Sequence, residues 1–108
     1  MIVLKKRSDF INAQNKGNKI VTRTIVVQAV SNNLSEVRVG YTVSKKVSKL
    51  AVTRNKIKRR LRAAVREAMV NAKPGTDYVL IGRLEAFKAD YTIILEDLKY
   101  AVRKLDKR

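Results

Sequence analysis

The sequence predicts a mixed α/β (α+β) fold in one small domain, residues 1–108. Three observations carry that prediction. Residues 19–31 are rich in Val, Ile and Thr; the Asn32-Asn33 turn signal follows, and then residues 36–44, where apolar side chains alternate. Residues 51–67, AVTRNKIKRRLRAAVRE, hold an apolar stripe at helical spacing. Tyr78-Val79-Leu80-Ile81 is a short unbroken apolar run, the mark of a central strand. The predicted order is α-β-β-(β)-α-β-α.

The elements follow in turn. Met1 to Arg7 read as an extended arm. Ser8 is placed to cap a short helix over residues 9–16, with Asp9 in its first turn and Gly17 past its end. Residues 19–31 and 36–44 are expected to pair as an antiparallel hairpin. Val21, Ile25, Val27 and Ala29 share one face of the first strand, and Val37, Val39, Tyr41 and Val43 one face of the second; these are the expected core faces. The opposite faces carry Thr22, Thr24, Val26 and Gln28, and Arg38, Gly40, Thr42 and Ser44. That surface is small, polar and mildly basic. On pattern alone it reads first as an ordinary solvated sheet face, with a shallow groove for a single strand as the alternative. A basic loop over 45–50 leads into a helix over about 53–72, which Pro74-Gly75 ends. Residues 76–83 form the third strand and 85–89 a connection. Asp90 is placed to cap a last helix, in which Ile94, Leu98, Ala101 and Leu105 recur at helical spacing.

Charge narrows the function. Lys plus Arg number 25 against nine acids, a net charge of +16. Such a chain repels itself when folded, so a polyanion is the expected partner. A membrane-surface helix usually turns Trp, Phe or Leu to the lipid. This chain has no Trp, two Phe, and only a small Ile, Leu and Ala face on its basic helix. Nucleic acid is therefore favoured over membrane. No apolar run approaches membrane-spanning length, and the start of the chain lacks a signal-peptide pattern, so a cytoplasmic location is expected. Without cysteine there is no disulfide framework, thiol nucleophile or zinc knuckle.

The basic segment concentrates that charge. Seven cations stand in residues 51–67, and the one acid, Glu67, comes last. At about 100° per residue, Ile57, Leu61, Ala64 and Ala68 fall on one side. Asn55, Arg59, Arg62 and Arg66 fall on the other, with Lys58 on the flank. Solvated helix faces normally mix signs to gain i to i+4 pairs. Here the repulsion is uncompensated, and cations near the helix start also oppose the macrodipole. Phosphates would relieve both, each gripped by a guanidinium through two parallel hydrogen bonds.

Bond-breaking chemistry is harder to place. Histidine, the commonest protein general base, is absent. The nine acids are scattered, and nothing in their spacing suggests the convergence a two-metal nuclease needs. Gly40, Gly75 and Gly82 make no phosphate-binding loop. No catalytic residue and no protein metal site is assigned. Of the six aromatics, Phe10 is the candidate stacking platform for a base.

Residues 38–67, RVGYTVSKKVSKLAVTRNKIKRRLRAAVRE, resemble the signature of the bacterial ribonuclease P protein subunit. The match centres on Ala51, Arg54-Asn55, Ile57-Lys58-Arg59 and Arg62, preceded by the Ser44-Lys45-Lys46 loop. Asp9-Phe10, Gly17 and Asp77-Tyr78 also fit, so the resemblance spans nearly the whole chain. It implies a two-layer α/β sandwich with the basic helix as a left-handed crossover between parallel strands, against the usual hand. It also implies an accessory role: the partner is a large catalytic RNA with bound Mg²⁺, which removes the 5′ leader from precursor tRNA. By position, Lys45, Lys46, Arg54, Asn55, Lys58, Arg59, Arg62 and Arg66 would face the catalytic RNA. A cleft between the first helix, the sheet and the basic helix, including Phe10, Thr24, Val26, Gln28, Arg38 and Thr42, would take the leader. Some members carry further aromatics in this cleft where the chain has Gln14 and Gln28, which favours hydrogen bonding to the leader. No DNA, membrane or self-association is implied. A small basic ribosomal protein would share the charge without the Arg-Asn signature. An autonomous nuclease would need the catalytic groups the chain lacks.

Overall fold

The computed structural model describes residues 1–107. In chain order the elements are β1 (Ile2–Val3), α1 (Arg7–Lys16), β2 (Asn18–Val21), β3 (Ile25–Ser31), β4 (Val37–Thr42), α2 (Ala51–Ala68), β5 (Thr76–Gly82), α3 (Glu85–Lys88) and α4 (Tyr91–Asp106). The strands form one sheet in the order β1-β4-β5-β3-β2.

The expected hairpin between residues 19–31 and 36–44 does not form. β5 inserts between its two strands, antiparallel to β3 and parallel to β4. The physical reason lies in β5 itself. Its side chains are apolar on both faces, and six of its seven residues are buried. A strand of that kind belongs at the centre of a sheet with helices on both sides. The parallel β4–β5 pair needs a long crossover, and the 18-residue α2 supplies it.

Residues 19–31 are likewise two strands. The chain reverses at Thr22–Thr24, where the Thr22 hydroxyl accepts from the Ile25 N–H at 3.1 Å and donates to the Ile25 carbonyl at 2.8 Å. The arm forms the edge strand β1, parallel to β4. α1 starts two residues early, with Lys6 at its cap and no capping bond from a side chain, so Ser8 lies inside the first turn. Gly17 ends α1 in an extended conformation, φ −80°. It is required there by contact: a Cβ would stand 2.4 Å from the Ala13 carbonyl oxygen and 2.9 Å from that of Ala29. α2 stops at Ala68, short of residue 72. The connection at 85–89 contains a helical turn, α3.

The main core lies between the sheet and the pair α2 and α4. Ile25, Val27, Val39, Tyr78 and Leu80 from the strands meet Ile57, Leu61, Ala64, Ile94 and Leu98 from the helices, all essentially without solvent exposure. Each such Leu or Ile contributes about 1.5–3 kcal/mol. The predicted core faces hold, except that Val21 sits on the edge strand and is exposed. A smaller core on the opposite face joins Leu4, Ala13 and Val79, with Phe10, Val30 and Ile81 packed against them. The sandwich of sheet and α2/α4 is thus backed by a partial layer, α1.

Candidate nucleic-acid interface

The face of the sheet beneath α1 is built in three rows, set by strand register. Val30, Asp77 and Arg38 form the first row, Gln28, Val79 and Gly40 the second, and Val26, Ile81 and Thr42 the third. α1 has only ten residues, about 15 Å of helix. It covers the first row and part of the second. What it leaves open is a hollow of about 490 Å³, lined by Lys5, Arg7, Phe10, Gln14, Gln28, Thr42, Val79 and Ile81.

Phe10 sets one wall. Its ring lies directly on Gly40, where a Cβ would stand 2.6 Å from the ring and 3.1 Å from the Leu4 Cβ. Only glycine lets the ring settle onto the sheet at this point. The ring is half-buried and also lines the groove, so Phe10 serves both the small core and the open surface. Gln28 is 8 % exposed and lies on the groove floor. Lys5 and Arg7 bring positive charge to the rim.

Two expected groove residues are differently employed. Thr24 is fully buried: its hydroxyl donates to Asp97 of α4 at 2.6 Å, and its N–H donates to the same carboxylate oxygen at 3.1 Å. It lies in the turn before β3, where strand alternation no longer fixes the side-chain face. Arg38 is on the α1 face, but its guanidinium is already engaged. Nε and Nη2 each donate to Asp77 at 2.7 Å, and Asp9 is 3.7 Å away. Asn32 completes the site by donating to Asp77 at 2.8 Å. The hydrogen bond to Asp77 raises the Arg38 pKa further above its ordinary value. Arg38 therefore joins β4 to β5 rather than standing free for a phosphate.

α2 lies on the other side of the sheet. It lines no part of the groove, contrary to the cleft implied by the resemblance, because its apolar stripe is buried against β4, β5 and α4. Its outer side presents Asn55, Arg59, Arg62 and Arg66, all exposed, with Lys58 half-buried on the flank. Lys45 and Lys46 are exposed in the loop before it. The first turn of α2 holds no acid. Arg54 is half-buried and donates to the Ser48 carbonyl at 2.8 Å, tying that loop to the helix. The Arg62 guanidinium lies 5.3 Å from the Tyr41 ring centroid. Burial raises the Tyr41 pKa, and Arg62 and Arg66 oppose that shift.

Arg60 is the exception on this helix. Its guanidinium donates to the carbonyls of Ala86, Phe87 and Ala89, at 2.7, 3.2 and 2.5 Å. It caps the end of α3 and holds it to α2. The acids are similarly committed: Asp77 to Arg38, Asp97 to Thr24, and Asp106 to the Tyr78 hydroxyl at 2.5 Å. Among the described residues, no three carboxylates gather into a metal site. Lys5, Arg7, Val79 and Ile81 are groove residues the sequence did not disclose. Which half of the run 78–81 faces the groove depends on strand register, and the arm turns onto α1 only because β1 pairs with β4.

Fold and surface together define a single-sheet α/β domain with a cationic helix on one side and a basic-rimmed groove on the other. The chain belongs to the ribonuclease P protein family, whose model matches residues 2–106. It is 44% identical over 108 residues to the ribonuclease P protein component of Ruegeria pomeroyi, covering 95% of this chain and 85% of that one. It is 38% identical to the component from Paramagnetospirillum magneticum, covering 94% and 80%. The ribonuclease P protein of Staphylococcus aureus superposes with a TM-score of 0.81 at 31% identity, covering 99% of this chain and 96% of that one. That of Thermotoga maritima gives 0.80 at 27%, covering 100% and 98%. Membership settles the choice against a small basic ribosomal protein. The chain is a protein component of an RNA-processing endoribonuclease, with an RNA subunit and tRNA substrate as partners. No helix among the described residues is long and apolar enough to cross a membrane.

Proposed function

We propose that this chain is the accessory, non-catalytic subunit of its ribonuclease P, and that its two charged surfaces have separate tasks. The outer side of α2 and its preceding loop, through Lys45, Lys46, Asn55, Lys58, Arg59, Arg62 and Arg66, hold the catalytic RNA. Arg54 shapes that loop and offers its remaining N–H groups. The groove beneath α1 takes the single-stranded 5′ leader of precursor tRNA. Mg²⁺ works on the RNA subunit, and the protein adds charge and position. It acts in the cytoplasm as a single copy of the chain, with RNA rather than DNA as its partner.

The observation that carries this reading is the uncovered half of the sheet. Gln28, Thr42 and Ile81 form a floor, Phe10 a wall, and Lys5 and Arg7 a cationic rim. An apolar floor with polar side chains suits unpaired bases, and the rim suits their phosphates. The commitment of Asp77, Asp97 and Asp106 to structural bonds supports a chain that does no cleavage itself.

The test uses labelled precursor tRNA and Mg²⁺ with protein alone, RNA alone, and holoenzyme. Protein alone is expected to release no leader. In the holoenzyme, Gln28→Ala should weaken precursor tRNA binding and leave mature tRNA, which lacks the leader, unaffected. Specific leader release by RNA-free protein, or equal weakening of both tRNAs, would overturn the reading.

A further inference from the structure

The sheet has a second uncovered place, on its α2 side at the β1 edge. Register sets Val3 beside Val39, so both side chains point to the α2 side. α2 packs over β4 and β5. The edge strand lies outside that cover: Val3 is 51 % exposed and Met1 64 % exposed. Between β1 and the flank of α2 a hollow of about 250 Å³ remains. Val39 and Val65, both buried, form its floor. Met1, Val3 and the half-buried Tyr41 stand around it. Arg62 and Arg66, about one helical turn apart, complete the lip.

A single apolar side chain on a surface is ordinary. Here Met1, Val3 and the Tyr41 ring share one concave place beside the cationic side of α2. The Arg62 guanidinium, 5.3 Å from the Tyr41 ring centroid, is held at the lip by the ring. Among the described residues, no carboxylate lines this hollow. The next hollow along the same edge shares Met1 and contains Glu36 and no cation, so the stretch that attracts anions ends at Met1. Apolar walls suit the faces of a nucleobase, and the two arginines suit the phosphates on either side of it. A paired base is stacked inside its helix, so only an unpaired one can enter. The lip belongs to the same row of arginines as the outer side of α2, so an RNA lying on that side reaches the hollow without crossing the sheet.

We propose that this hollow receives one unpaired base of the catalytic RNA. The base enters between Val3 and Tyr41, and Arg62 and Arg66 take the phosphates that flank it. The proposal rests on the outer side of α2 being the face that holds the catalytic RNA. It adds to that face a contact that salt does not screen. Phosphate contacts alone carry no information about the RNA, whereas a base-sized hollow separates an RNA with an unpaired base at this position from any other polyanion.

The test measures the affinity of the protein for its catalytic RNA, and for a plain RNA duplex, across a salt series. Tyr41→Leu removes the ring, Tyr41→Phe keeps it, and Val3→Ser alters an exposed side chain; thermal melts verify that each folds. Arg59→Ala, outside the hollow, is the control for a phosphate contact. Tyr41→Leu is expected to lose about tenfold in affinity for the catalytic RNA, or about 1.4 kcal/mol, and Val3→Ser about threefold. Both should keep the log–log salt slope, because a base contact releases no counterion. Tyr41→Phe should bind like the unmodified protein. Arg59→Ala should make the slope shallower by about 0.7–0.9. The duplex, which offers no unpaired base, should bind the hollow variants and the unmodified protein alike. If Tyr41→Leu melts too early to assay, Val3→Ser decides. If Tyr41→Leu makes the slope shallower as Arg59→Ala does, the ring only holds Arg62 and the proposal fails. Equal weakening on the duplex also defeats it. If the hollow variants match the unmodified protein at every salt while Arg59→Ala weakens binding, the base site is refuted and the reading of α2 stands. If neither Arg59→Ala nor the hollow variants change binding, the reading of α2 falls and the proposal with it.

Discussion

Replacing Arg60 by Ala should destabilise the protein by about 2–3 kcal/mol, while Arg59→Ala, one residue away, should leave stability within about 0.5 kcal/mol. The two residues carry the same charge and lie in the same run. Their surroundings differ. Arg59 is exposed. Arg60 donates to three carbonyls at the end of α3, two of them at 2.7 and 2.5 Å. A net hydrogen bond to a charged group contributes about 1.5–3 kcal/mol. The three contacts share one guanidinium, so their values do not add, and the 3.2 Å bond to Phe87 counts least. Ala86 and Ala89 are buried, so water reaches their freed carbonyls poorly. For a domain of about 100 residues, 2–3 kcal/mol lowers the melting temperature by roughly 8–15 °C. Each Ala variant removes one positive charge, so relief of self-repulsion largely cancels between them. Arg60→Lys keeps the charge, but a single ammonium does not match the planar fork, and it should recover less than half the loss. The assay is a pair of thermal melts beside RNA-subunit affinity at fixed salt. Arg59→Ala should lose affinity without melting earlier, and Arg60→Ala should melt earlier. An Arg60→Ala melting point within about 2 °C of the unmodified protein, which corresponds to about 0.5 kcal/mol, would refute the assignment of Arg60 as a structural cap.

Affinity for the catalytic RNA should fall steeply with salt: four to six phosphate contacts give a log–log slope of roughly −3 to −5, which filter binding between low and moderate salt measures directly. Gly40→Ala should push the Phe10 ring off the sheet and cost about 1–3 kcal/mol by overpacking, and Phe10→Leu in the same chain should restore part of that in a urea titration. Tyr78 is pushed well above its usual pKa of 10 by burial and then by its bond to Asp106. A raised folded-state value means that its contribution is fully present below pH 10 and is lost as pH climbs through the folded value. Tyr78→Phe should therefore flatten the decline in stability above pH 10, at a cost of about 1 kcal/mol near neutrality, and an unchanged alkaline slope would count against this.

Side-chain periodicity disclosed which residues face the core and which side of α2 is free, because a period fixes faces. It does not fix neighbours. Residues 19–31 and 36–44 were each legible as extended segments, yet nothing in either says that β5 lies between them. The turn at Thr22–Thr24 is not legible because Thr is a good strand residue, and besides the local bonds between Thr22 and Ile25 the bonds that secure it come from Arg83 and Asp97, far along the chain. The same limit hid Arg60. In Lys58-Arg59-Arg60-Leu61-Arg62 the chemistry repeats, and only the position of α3 shows which arginine is engaged. Arg38 and Asp77 were both noted, but their pairing needs the parallel register of β4 and β5. Family resemblance carried the RNA-facing set, and physical patterning alone would have stopped at a polyanion-binding helix.

The central place of β5 also decides when the groove comes into existence. Its floor is drawn from β3, β4 and β5, and the middle strand is the last of the five to be made. A chain ending before Thr76 holds β3 and β4 as strands with no shared partner, each with an unsatisfied edge. Pairing β4 to β5 first requires closing a connection that contains all of α2. Contacts of such long sequence separation form late and together. The cationic helix and the groove lie on opposite sides of the sheet, yet both depend on the same pairing of β4 with β5. A nascent chain that has already exposed its cations has no groove until its final third emerges.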